Sequence, residues 1–151
     1  MIVGVISDTH GLLRPEALEA LSGVDYLLHA GDIGDGGIVA ALSGIAPLTS
    51  IRGNVDKGDW ANALPEQVVI DLAGHRILML HDRKALHAAD LASGVGIVVS
   101  GHSHRPSVQR EGGVLYLNPG SAGPRRFGLP VALALLNLGA ADPTAHIVDL
   151  L

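Results

Sequence analysis

The sequence predicts an α/β sandwich, two packed sheets with helices outside, and three observations carry that prediction. Five apolar runs each stop abruptly at a polar group: Ile2 to Ser7 at Asp8, Tyr26 to Ala30 at Gly31-Asp32, Leu48 to Arg52 at Gly53-Asn54, His75 to Leu80 at His81, and Gly96 to Ser100 at Gly101-His102. The first three alternate with helical stretches over short connections, the pattern of a parallel sheet with right-handed crossovers. From Gln67 onward the pattern changes to hairpins. Composition agrees. With 48% hydrophobic and 17% charged residues the chain is not a disordered one, and such a balance suits strands covered on both faces. Its 151 residues are expected to form a single domain, 1–151, around one core. At 3% aromatics, that core must be built mainly from Leu, Val, Ile and Ala.

In chain order, Ile2 to Ser7 is a strand, Asp8-Thr9-His10-Gly11 a polar loop, and Arg14 to Leu21 a helix with Pro15 in its first turn. Tyr26 to Ala30 is the second strand, Gly36 to Leu42 a weak helix, and Leu48 to Arg52 the third strand. The polar stretch Lys57 to Asn62 holds the only tryptophan, Trp60, expected to cover the edge of a small core. Gln67 to Leu72 and His75 to Leu80 pair through the two-residue turn Ala73-Gly74. A helix is expected from Lys84 to Ala92, leading to the strand that ends at Gly101. Ser107 to Arg110 and Val114 to Leu117 pair around Glu111-Gly112-Gly113. After the turn Asn118-Pro119-Gly120-Ser121, two last strands fall at Val131 to Leu136 and Ala145 to Leu150.

The formal charge of -5 gives no general pull toward nucleic acid, so an anionic substrate needs a local positive feature. Without basic, aromatic-rich stretches, a nuclease acting on long nucleic acid is disfavoured. The absence of cysteine excludes disulfides and thiolate ligands and fits a reducing compartment. The start reads as a strand rather than a leader, and the apolar run from Leu129 to Leu138 is too short to span a bilayer, so the expectation is a soluble, cytoplasmic protein.

The strand-end groups are Asp8, His10, Asp32, Asn54, His81, His102 and His104. Each alone has a bland explanation, since Asp and Asn start loops and cap helices. Five coincidences at consecutive strand ends are hard to assign to turn chemistry. In an extended chain residues two apart point the same way, so His102 and His104 would aim at one place if the extended backbone continues past Gly101. Two carboxylates, one amide oxygen and four imidazoles suit two divalent cations, and nitrogen with oxygen but no sulfur favours Mn, Fe, Ni, Co or Zn over Mg or Ca. Such a pair can lower the pKa of a water held between the ions and neutralise charge on a phosphoryl oxygen, the machinery of phosphoester hydrolysis.

Asp8-Thr9-His10, Gly31-Asp32, Gly53-Asn54, His81 and Gly101-His102-Ser103-His104, followed by Asn118-Pro119-Gly120-Ser121, resemble the calcineurin-like metallophosphoesterases, in particular their small bacterial and archaeal phosphodiesterases. The resemblance spans nearly the whole chain. It implies a four-layer α/β/β/α sandwich of two mixed sheets flanked by helices. It further implies one ion held by Asp8, His10, Asp32 and His104, and a second by Asp32, Asn54, His81 and His102. Asp32 would then bridge, Asn54 would lie near the substrate phosphate, and the nucleophile would be hydroxide activated by the dinuclear centre. Two departures stand out. Val55 occupies the place where larger members have a histidine that could protonate the leaving group, which leaves the general acid unassigned and tilts the expectation toward diesters with acidic leaving groups. Asp82-Arg83 follows His81 where relatives commonly have Gly-His.

The expected function is thus a metal-dependent phosphodiesterase acting on small phosphodiesters, with a phosphomonoesterase or a non-catalytic scaffold of the same fold as alternatives. The family includes a eukaryotic retromer subunit that looks like this fold turned to protein binding. Arg125 and Arg126 are candidate contacts for a substrate phosphate, as bidentate donors. His29 is read as a packed residue, and His75, His87 and His146 as surface or structural. Natural substrate, physiological metal and oligomeric state, including a homo-oligomer, stay open at this level.

Overall fold

The computed structural model describes residues 1–139 and 141–151. Among the described residues, ten strands form two five-stranded sheets. In the first, β1 (Ile2–Ile6), β2 (Tyr26–His29) and β3 (Leu48–Ser50) run parallel. The last two strands, β9 (Ala132–Asn137) and β10 (Thr144–Asp149), join antiparallel beside β1. Helices α1 (Pro15–Ala20) and α2 (Gly36–Ser43) are the crossovers that parallel pairing requires. The second sheet has the order β4 (Gln67–Leu72), β5 (His75–Leu80), β6 (Ile97–Val99), β8 (Val114–Asn118), β7 (Ser107–Glu111). Its hairpins are at the two edges, while β5, β6 and β8 are parallel, so both sheets are mixed.

Alternation along the strands sorts side chains into three apolar layers. Val3, Val5, Leu28, Ile77, Met79, Val99, Leu117 and Leu136 meet between the sheets. On the far face of the first sheet, Ile6, Leu27 and Leu133 pack against Ala17, Leu21, Ile38 and Leu42 of the two helices. Beyond the second sheet, Leu78, Leu80, Val98 and Tyr116 are covered by Leu86 and Leu91. These are the four layers of the expected sandwich, with one correction. The Lys84–Ala92 stretch is not a helix but two 3-10 turns, Arg83–Ala85 and Ala88–Leu91, separated by extended Leu86 and His87. Asp82 accepts from the Lys84 N–H and Asp90 from the His87 N–H, local bonds that start a new turn instead of continuing the old one.

The stretch expected to be loop around Trp60 holds one more turn of helix, α3 (Asp59–Asn62), and Trp60 packs on the helix-covered core. Ala73 and Gly74 both have positive φ, 49° and 82°, as a two-residue hairpin turn demands. Among the described residues no helix is long and apolar enough to cross a membrane.

Candidate metal centre

Parallel strands deliver their carboxyl ends to one edge, and here both sheets do so at the same edge. Asp8 follows β1, Asp32 follows β2 and Asn54 follows β3, while His81 follows β5 and His102 follows β6. Seven described non-glycine residues have positive φ, and five of them are Asp8, His10, Asp32, His102 and His104. Strained backbone of this kind persists only where the surroundings over-determine it.

The predicted residues gather into two groups. Asp8, His10 and His104 form one, and Asp32, His81 and His102 the other, each with its ligand atoms within 4.8 Å of one another. His102 and His104 therefore do not aim at one place. With φ of 68° and 62° the backbone is left-handed rather than extended, and the two rings part into different groups. Asp32 lies between the groups, its Oδ2 3.6 Å from His10 Nε2 and 3.1 Å from His81 Nε2. Asp8 Oδ1 is 3.8 Å from His10 Nε2, 3.8 Å from His81 Nε2 and 3.5 Å from His104 Nε2.

Buried polar atoms are normally hydrogen-bonded. Asp8 Oδ1, His10 Nε2, His81 Nε2 and His104 Nδ1 are buried and have no hydrogen-bond partner among the described residues. At His81, Nδ1–H donates to the Ala30 carbonyl at 2.7 Å, which leaves the Nε2 lone pair aimed at two carboxylate oxygens. Lone pairs facing carboxylates repel unless a cation or a proton lies between them, so the donor set fits divalent cations. Burial opposes charge on the His81 ring, yet the close Asp32 carboxylate, the Ala30 carbonyl and the Asp8 charge outweigh it and raise the His81 pKa above 6.5. Burial would raise Asp32 as well, but the bond and charge from His81 outweigh it and hold Asp32 at about 2. Asp8 is carried to about 6 by burial, against the donated bond from Ser7.

Hydrogen bonds from outside the ligand set orient Asp8 and the loops. Ser7 Oγ donates to Asp8 Oδ2 at 2.7 Å and the His102 N–H to the same oxygen at 3.1 Å, so that Oδ1 alone is left free to bind. Asn118 donates to the Gly101 carbonyl at 2.9 Å and to Ser103 Oγ at 3.1 Å, bracing the loop that carries both histidines. Ser121 Oγ donates to the Asp8 carbonyl. A Cβ on Gly101 would run into Ser7 Oγ and Asp8 Oδ2. Asp56 accepts from the backbone N–H of Ile33, Gly34 and Gly53, tying the Asp32 loop to the Asn54 loop. Sequence reasoning quoted Asn118 and Ser121 but gave neither a role, and it passed over Ser7 and Asp56.

The remaining candidates divide. Asn54 is exposed and lines a cavity of about 440 Å³ with Arg52, Gly53, His81 and Asp82; its amide forms no hydrogen bond among the described residues. Val55, in the place of the missing histidine, donates its N–H to Asp32 Oδ1 at 3.1 Å. Arg125 and Arg126 are both exposed. Only Arg126 makes itself felt at the centre, where burial first and its positive charge in addition lower the pKa values of His10 and His104. Asp82 Oδ2 is 3.7 Å from His102 Nε2. His29, read as packed, is fully buried with both ring nitrogens paired, and His87 and His146 lie at the surface.

Residues 1–141 match the calcineurin-like phosphoesterase superfamily domain. A probable metallophosphoesterase of Methanothermobacter thermautotrophicus is 31% identical over 147 residues, covering 89% of this chain and 85% of its own. Among solved structures, a predicted phosphoesterase from Streptococcus pneumoniae superposes with a TM-score of 0.78 at 25% identity, over 98% of this chain and 88% of that one. Wild-type Vps29 of Entamoeba histolytica, in complex with zinc, gives 0.75 at 25% identity over 99% of both chains.

Proposed function

The chain belongs to the calcineurin-like phosphoesterase superfamily, and from that premise we propose that it is a divalent-metal-dependent phosphodiesterase for small diesters, active in the cytoplasm as one domain over residues 1–151. The observation that carries the metal is the convergence from both sheets of Asp8 Oδ1, His10 Nε2 and His81 Nε2, all buried and without a hydrogen-bond partner among the described residues. Asp8, His10 and His104 would hold one cation and His81, His102 and Asn54 the other, with Asp32 shared between them. When bound, the two ions supply Lewis acidity, lowering the pKa of water and neutralising phosphoryl charge.

The chain's own residues do the positioning. Ser7 and the His102 N–H fix the Asp8 carboxylate, the Ala30 carbonyl fixes the tautomer of His81, and Asp56 fixes the loop from which Asn54 would reach the phosphate. Arg126 adds positive charge beside the His10 and His104 rings, where an anionic diester would approach. Two features favour a diester over a monoester. No histidine stands at Val55 to protonate a poor leaving group. Two cavities, of about 650 and 440 Å³, flank the His81 and His102 pair and share Asp82 as a common wall, which offers one recess to each ester arm.

The test is metal analysis of the purified protein, followed by chelation, refilling with Mn, Ni or Zn, and rates on matched nitrophenyl mono- and diesters. Metal-dependent turnover with the diester ahead is the expected result; two bound ions with no turnover on either ester would overturn it. The likeness to Vps29 favours one second reading, a protein-interaction module of the same fold, and that last outcome is the one such a module would give.

A further inference from the structure

Phe127 is the only phenylalanine in the chain, and it is 80% exposed. An apolar ring left in water is uninformative when isolated, but this one is neither isolated nor relaxed. Its φ is 58°, a strained value for a bulky residue, and among the described residues it is the one non-glycine residue of positive φ outside the hairpin turn and the ligand groups. Its ring meets His104 edge-on, with centroids 5.7 Å apart, so it stands at the rim of the metal centre. It also forms one wall of the 650 Å³ cavity, together with Arg83, His102, Tyr116 and Leu117.

Arg83 supplies a second flat surface there. Its guanidinium lies over the Tyr116 ring, 4.0 Å from the centroid, while Glu111 Oε2 sits 3.5 Å from Nη2. A planar cation backed by one ring and partly neutralised at its edge is well suited to stack a further ring on its open face. Lys84, also on the wall, has no ion-pair partner among the described residues and keeps the local potential positive for an anionic ligand. The smaller cavity on the other side has no Phe, Tyr or Trp on its wall, and carries Asp56 and an Arg52–Glu66 ion pair besides the shared Asp82. The two recesses differ in chemistry, so the two arms of a diester are not equivalent to this protein.

We propose that the cavity between Phe127 and Arg83 seats a flat aromatic ester arm, making the substrate class small phosphodiesters with one aryl or heteroaryl arm. This rests on the phosphodiesterase reading above and narrows it.

The experiment compares two diesters that release the same nitrophenolate, phenyl 4-nitrophenyl phosphate and methyl 4-nitrophenyl phosphate, on Mn-loaded protein. The ratio of their kcat/KM values is the readout, because any general loss of activity cancels in it. Phe127→Ala lowers the ratio about tenfold through the phenyl substrate's KM, and Phe127→Tyr, which keeps the ring, preserves it. Because the nitrophenyl arm of the methyl ester can also enter the cavity, the assignment is overturned by a ratio unchanged in Phe127→Ala together with unchanged calorimetric binding of phenyl phosphate. Calorimetric binding of phenyl phosphate against methyl phosphate reads the cavity without turnover. A protein inert on both diesters that still prefers phenyl phosphate, and loses that preference in Phe127→Ala, keeps the ring site and discards the hydrolase. Equal affinity for the two discards the ring site alone.

Discussion

His29 makes a prediction whose sign and size both follow from its hydrogen bonds. The Gly31 N–H donates to its Nδ1 at 3.1 Å. Thr9 Oγ1 spends its only proton on the Ile33 carbonyl at 2.8 Å, so at 3.0 Å from Nε2 it must accept, and the ring is neutral with its proton on Nε2. A second proton would have to enter at Nδ1, against the Gly31 N–H, in a fully buried site. Burial accordingly lowers the pKa from 6.5 to about 3. Between those values the unfolded chain takes up a proton that the native state refuses. The stability held by the neutral ring is therefore complete above pH 6.5 and falls as the pH drops below it, by about 2 kcal/mol at pH 5.

Replacing His29 with leucine leaves the Gly31 N–H and a lone pair of Thr9 unpaired out of reach of water, at a cost of about 2–5 kcal/mol at pH 7. Leucine does not titrate. The deficit of His29→Leu relative to the parent should thus shrink by about 2 kcal/mol on going from pH 7 to pH 5. Urea unfolding of chelator-treated protein at the two pH values measures it. The difference between the two proteins cancels the other titrating groups, including Asp8, whose raised pKa works in the opposite sense. A deficit that is the same at both pH values would refute the buried neutral imidazole.

Three further outcomes are expected. Asp32→Asn should keep the far-ultraviolet circular dichroism of the parent while turnover of a nitrophenyl diester falls by about a thousandfold and bound metal drops; full activity would remove Asp32 from the shared position. Adding Mn to stripped protein at about a hundred times its Kd should raise stability by about 2.7 kcal/mol, seen calorimetrically as a Tm higher by roughly 5–10 °C, and no shift would mean that the partnerless atoms are not ligands. Gly101→Ala should cost about 1–3 kcal/mol, because its Cβ would meet Ser7 and Asp8, and weaken metal binding with it. Gly96→Ala, with nothing within 4 Å of a Cβ, should be near neutral, and equal effects at the two sites would show that crowding at Asp8 is not the cause.

The strand ends were legible because an apolar run followed by Asp or His is a local pattern, and Asp8, Asp32, His81 and His102 all fall just beyond such runs. The separate destinations of His102 and His104 were not legible from their spacing, and only the family resemblance assigned them to different ions, as the two groups have it. Spacing predicts direction only in extended backbone, and both residues are left-handed. The Lys84–Ala92 stretch has the apolar spacing of a helix, but Asp82 and Asp90 divert its N–H groups into separate turns. Arg125 and Arg126 are indistinguishable as letters, and only the path of the chain past His104 separates them. Asn118, Asp56 and Ser7 act through backbone groups or neighbours that are up to 23 positions away, a kind of contact that leaves no periodic trace.

Each ligand group mixes early and late chain: Asp8 and His10 need His104, and Asp32 needs His81 and His102. A chain released only as far as β4 could offer carboxylates but too few imidazoles to retain a cation, and the second sheet alone would have imidazoles without the Asp8 and Asp32 carboxylates. Loading would therefore be an event for the finished molecule. Metal capture would then record that synthesis and docking of the sheets are complete, and an incompletely made copy would stay empty and inert.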